Sequence, residues 1–150
     1  MKQDLSNSSI NCVREIKHSD GSVTFYYDIF DRNDNNIAIN IAKKGKDIIF
    51  TEAGGLFDDI EFPSSSQNND PFLHEYTKEA IIHEELCQLI QDKISRANCE
   101  LHTDNKDNIT IKKVSSKKNY NEDLSFFAFL LIYLDSIIAK SQKKFASISD

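Results

Sequence analysis

The sequence predicts an α+β fold, an antiparallel four-stranded meander packed with two long helices and a small additional β-hairpin. Three observations carry this prediction. β-Branched and aromatic runs separated by short turn signals occupy residues 10–51. From Tyr76 the apolar spacing changes to steps of three and four residues. A nearly unbroken apolar run, LSFFAFLLIYL, fills residues 124–134.

Taken in order, residues 10–17 read as a weak strand, with Ile10 and Cys12 alternating against Val13 and Glu15. His18-Ser19-Asp20-Gly21 follows, and Asp-Gly between two β-like runs signals a hairpin. Residues 23–30 (VTFYYDIF) are a second strand, and residues 31–36 a polar turn. Ile37, Ile39 and Ile41 alternate with Ala38, Asn40 and Ala42, as a strand with one apolar face requires. Lys44-Gly45-Lys46 turns the chain into a fourth strand over residues 47–51. Gly54-Gly55 ends the pattern, and residues 56–62 suit a helical turn.

Prolines bound a polar connection, PSSSQNNDP, within an internal flexible loop assigned to residues 63–72. The first long helix carries Tyr76, Ala80, His83, Cys87, Ile90, Ile94 and Ala97 on one stripe, which Leu86 and Leu89 widen. Asn98 is placed to end it. Residues 99–103 and 109–114 form two short strands around a turn at 104–108, where Asn and Asp supply the left-handed conformations. The last helix runs from about Asn121 to Lys144. Its apolar run is shorter than the roughly 20 residues a bilayer needs and is interrupted by Asp135. Phe126, Phe127, Phe129 and Tyr133 cannot all face one small sheet, so a homodimer through this helix, or another hydrophobic target, is expected. The whole reads as a single domain over residues 10–145, with flexible tails at 1–9 and 146–150.

Composition narrows the function. With 39% hydrophobic and 28% charged residues, the chain suits a soluble globular protein. A net charge of -6 disfavours general attraction to phosphate backbones, although lysine clusters such as Lys43, Lys44 and Lys46 leave a local basic face open. Nucleic-acid binding is therefore possible in principle but not favoured, and no membrane partner is expected. Residues 1–9 lack the apolar core of a signal peptide, and Cys12, Cys87 and Cys99 are odd in number and widely spaced. Both features predict a reduced, cytoplasmic setting.

Two constellations are chemically interesting. His83, Cys87, Cys99 and His102 are zinc-ligand types, but strand alternation would send Cys99 and His102 to opposite faces. Core packing explains His83 and Cys87 better, so no metal site and no cofactor are expected. The second constellation joins Asp28-Ile29-Phe30-Asp31-Arg32-Asn33-Asp34 to Thr51-Glu52-Ala53-Gly54-Gly55, two acidic turns at strand ends. Asp31, Arg32, Asp34, Thr51, Glu52 and Gly54 are its candidate binding residues. Asp31, Asp34 and Glu52, with Asp28, Asp58 and Asp59 near in sequence, could gather around a divalent cation for hydrolysis. In the simpler reading Asp31 and Asp34 shape their turn, and Arg32, flanked by acids, is an internal ion-pair partner. No P-loop, dinucleotide glycine motif, nucleophile elbow or two-histidine zinc motif occurs, and no catalytic residue is assigned. His83-Glu84-Glu85 begins like the zinc motif but has Cys87 where the second histidine belongs.

The same turns resemble a prokaryotic family known as domain of unknown function 1828, in Ile29, Asp31 and Arg32, in Ile37 and Ile39, and in Thr51, Glu52 and Gly54. The order of the later helix, strand pair and closing helix is also similar. Asp28 stands in place of the family's proline, Asn35 in place of an acidic residue and Ala53 in place of a second Asp, which weighs against a metal or catalytic role. The resemblance implies a small cytoplasmic bacterial protein of prophages and other mobile elements, and it supplies no reaction. The expected function is a non-enzymatic protein-binding factor that occupies a host or phage protein in defence or counter-defence. The alternatives are a metal-dependent nuclease or hydrolase and a small-ligand sensor.

Overall fold

The computed structural model describes residues 10–60, 78–103 and 109–149. In chain order these form β1 (Cys12–Lys17), β2 (Val23–Phe30), β3 (Asn36–Lys44), β4 (Asp47–Glu52), α1 (Lys78–Arg96), β5 (Glu100–Thr103), β6 (Ile109–Ser116) and α2 (Tyr120–Ser149). The class is α+β, with one six-stranded antiparallel sheet in the order β1-β2-β3-β4-β6-β5. The expected segment at 1–9, the loop at 63–72 and the turn at 104–108 lie outside the described residues.

The first four strands form the expected meander, and their turns follow local chemistry. Gly21 has φ 89° and Gly45 φ 63°, the left-handed conformation those tight turns require. Asp20 braces the first turn by accepting from the Ser22 backbone N–H at 2.9 Å.

The second hairpin is not the separate unit the sequence predicts. β6 pairs with β4 from Asp47↔Ser116 to Thr51↔Lys112, so β5 and β6 extend the same sheet. Apolar periodicity reports which face of a strand is buried, whereas this arrangement depends on which backbone edge of β4 finds a partner.

Helix α1 ends as expected. Asn98 has φ 55°; its N–H reaches the Ser95 carbonyl at 3.1 Å, and the Cys99 N–H reaches the Ile94 carbonyl at 3.0 Å. This double closure is the Schellman motif. Lys113 adds a charge-assisted contact, donating to the Ala97 carbonyl at 3.0 Å. Leu86 is buried, but Leu89, expected on the same stripe, is 40% exposed.

One core joins the layers. Phe25, Tyr27, Ile39, Ile41, Phe50 and Ile111 from the sheet meet Ile90 and Ile94 of α1 and Leu124, Phe127, Leu131, Leu134 and Ile138 of α2. Phe50 is central, its ring 5.7 Å from that of Tyr120 and 6.0 Å from that of Phe127. Helix α2 continues past Lys144 to Ser149. By length and composition alone, residues Tyr120–Lys144 are long and apolar enough to cross a bilayer, a test that the core helix of a soluble protein also passes. One side of α2 is nevertheless spent on the sheet.

Candidate functional site

The acidic turn after β2 is organised by Asp31. Its buried carboxylate accepts the backbone N–H of Asn33 at 2.8 Å and of Asn35 at 3.0 Å. The Asp31 N–H closes the loop onto the Asn35 carbonyl at 2.8 Å, and Asp34 takes the left-handed conformation, φ 61°. Between Tyr26 and Phe30 the β2–β3 register shifts, opening the ladder where the turn begins. Asn36 bridges that opening by donating to the Tyr27 carbonyl at 2.8 Å.

Arg32 points inward. It contacts Asp135 of α2 through Nη1 at 2.9 Å and through its backbone N–H at 3.1 Å. Its other terminal nitrogen donates to the Leu56 carbonyl at 2.8 Å and forms a close ion pair with Asp59. The fork geometry of a guanidinium suits such divergent acceptors. Burial works against the charge on Asp59, but the hydrogen bond from Gln142 and the Arg32 guanidinium hold its pKa below the ordinary value. Arg32 therefore pairs with distant acids, not with the acids beside it in sequence.

Glu52 closes β4. Strand alternation through Ile48 and Phe50 places it on the core face, where it is 6% exposed. Its Oε1 accepts the Gly54 N–H at 2.6 Å and the Leu56 N–H at 3.1 Å, so the carboxylate shapes the turn that follows it. Thr110 Oγ1 donates to the Glu52 carbonyl at 2.7 Å. Burial raises the Glu52 pKa to about 7; the two backbone hydrogen bonds oppose the rise, while the charges of Asp58 and then Asp31 add to it.

The two acidic segments do meet at one end of the meander. The Ala53 N–H bonds the Ala38 carbonyl at 2.9 Å, and a Cβ added at Gly54 would lie 2.7 Å from the Asn36 carbonyl oxygen. The candidate residues nevertheless divide. Asp34 and Gly54 line an open cleft of about 470 Å³ with Val13, Arg14, Tyr26 and Asn36. Thr51 and Glu52 line another of about 460 Å³ with Gly55, Asp58, His102 and Lys112. Asp31 and Arg32 are turned to internal partners.

Among the described residues, no three His, Cys, Asp or Glu side chains are grouped to hold a metal. His83 Nε2 and Cys87 Sγ lie 3.7 Å apart, while His102 borders the Glu52 cleft. Burial raises the pKa of the Cys87 thiol and of the Cys99 thiol, which suits core thiols better than reactive ones.

Sequence reasoning did not find Asp59 and Asp135 as the partners of Arg32. One signal was present: Asp135 is the single acid between Leu124 and Lys144, directly after the apolar run, and a carboxylate there requires a partner. Comparison with protein-family models, curated proteins and solved structures found no match to this chain.

Proposed function

We propose that this chain is a non-enzymatic protein-binding factor of a bacterial mobile element or prophage, acting in defence or counter-defence by occupying another protein. One observation carries the binding role. Helix α2 buries Phe127 and Leu131 completely, yet Phe126 and Phe129 are each 50% exposed and Tyr133 is 44% exposed. Exposed aromatic side chains gathered on one face mark interaction surfaces. Lysines frame that face, Lys113 over the Phe126 ring at 5.4 Å and Lys93 over the Tyr133 ring at 5.7 Å.

The acidic turns support the same reading, because Asp31, Arg32 and Glu52 are engaged in holding the fold. The odd number and wide spacing of Cys12, Cys87 and Cys99 support a reduced, cytoplasmic setting. The mobile-element setting rests on the residue resemblance at the two turns.

A photo-crosslinking residue placed at Phe129 in the full chain, expressed in bacteria, tests the contact face. The expected result is an adduct at position 129 with a protein other than this chain, absent when the probe replaces exposed Lys46. Equal labelling at both positions removes the reading.

A second reading, a small-ligand sensor, is favoured by the cleft where Glu52, with its raised pKa, stands beside His102 and Lys112. A thermal-shift screen with nucleotides separates it, since a ligand that binds only the folded chain raises the melting temperature.

A further inference from the structure

The aromatic stripe of α2 runs into opposite charges at its two ends. Glu122, Phe126, Phe129, Tyr133 and Lys140 succeed one another at helical spacings that keep them along one side of the helix, and all five are exposed. The core residues Leu124, Phe127, Leu131, Leu134 and Ile138 occupy the opposite side. The stripe carries Glu122 at one end, Lys140 at the other and aromatic side chains flanked by Lys113 and Lys93 between them, so its terminal charges are complementary to their own reverse. Leu89 of α1 is exposed as well, and Lys93, one helical turn further along α1, lies over Tyr133.

We propose that this stripe binds the same stripe on a second copy of the chain, the two α2 helices lying antiparallel across a two-fold axis. The proposal rests on the reading of α2 as a contact face and names the occupant of that face in the isolated chain, which another protein would have to displace. Glu122 precedes Phe129 by seven residues, and Lys140 follows Tyr133 by seven. When Phe129 packs on the partner's Tyr133, Glu122 therefore stands opposite the partner's Lys140, and the two-fold axis repeats both contacts. A parallel pairing would instead set Glu122 against the partner's Glu122 and Lys140 against the partner's Lys140. Like charges in contact disfavour that register, so charge selects the antiparallel one.

Sedimentation equilibrium of the full chain tests this, with circular dichroism as the check on folding. The wild type is expected to be a dimer whose dissociation constant rises with salt. Glu122→Lys and Lys140→Glu each place like charges at both symmetry-related contacts, and each is expected to weaken the dimer on the order of tenfold. The double variant restores opposite charges, and with them the wild-type affinity. Phe129→Ser is expected to give a folded monomer. A monomeric wild type, or single variants that the double variant fails to rescue, overturns the antiparallel dimer. If the wild type is monomeric while the probe at position 129 still captures a different protein, self-pairing fails and the contact face stands. If it is monomeric and captures nothing, both fail.

Discussion

Arg32 grips Asp135 twice, through its backbone N–H at 3.1 Å and its guanidinium at 2.9 Å, although 103 residues of chain separate them. The Arg32 side chain is 6% exposed and that of Asp135 18% exposed, so the pair lies where solvent screens it little. Because the Arg32 side chain also binds Leu56 and Asp59, it joins the acidic turn, the segment after β4 and the last helix.

Removing Arg32 strands Asp135, whereas removing Asp135 leaves Arg32 bound to Leu56 and Asp59. Arg32→Ala is expected to destabilise the fold by about 3 kcal/mol, and Asp135→Ala by less. Arg32→Lys is expected to recover only part of the loss, because an ammonium cannot reach the divergent acceptors with a planar fork. Urea titration of the three variants measures this. An Arg32→Ala midpoint equal to wild type would contradict it.

Glu52 makes stability depend on pH in an unusual direction for a carboxylate. Its pKa is about 7 in the folded chain against an ordinary value of 4.5. The unfolded chain therefore releases the proton first, and stability that is full below about 4.5 is lost as the pH rises through about 7. The loss amounts to about 3 kcal/mol above neutrality. Glu52→Gln keeps an acceptor for the Gly54 and Leu56 N–H groups without the buried charge. It is expected to raise the melting temperature at pH 8, with the gain shrinking towards pH 4. A gain independent of pH would show that the charge is not its source.

Gly54 is required by contact. Its φ is not in the left-handed region, but an added Cβ would meet the Asn36 carbonyl oxygen at 2.7 Å, and backbone cannot swing aside as a flexible side chain can. Gly54→Ala is expected to cost about 2 kcal/mol through the shift it forces between the two turns. Gly45→Ala is strained for a different reason, since its added Cβ meets nothing within 4 Å but its φ is 63°. Chemical denaturation of both variants, with amide exchange at Asn36 and Ala38, distinguishes the local shift from the turn strain.

Phe127 and Phe129 lie two residues apart with opposite roles. Phe127 is 0% exposed and Phe129 is 50% exposed. Phe127→Ala is expected to cost about 3–5 kcal/mol by leaving a cavity under Phe50. Phe129→Ser is expected to change monomer stability by under about 0.5 kcal/mol while abolishing association through α2. Parallel melting and sedimentation measurements check both halves of the statement.

Much of this fold is written in short-range patterns. The Asp20-Gly21 and Gly45-Lys46 turns, the Asn98 helix end and the surplus of aromatic residues on the last helix are all readable from the chain. Each depends on residues within a turn or two of one another, where propensity and periodicity act. The tertiary structure alone decided that β6 lies beside β4, that Arg32 reaches Asp135 instead of an adjacent acid, and that burial lifts the Glu52 pKa towards neutrality. Strand pairing, ion pairing and local dielectric are properties of segments brought together from far along the chain. A linear pattern specifies the faces those segments present, and only their packing determines what each face meets.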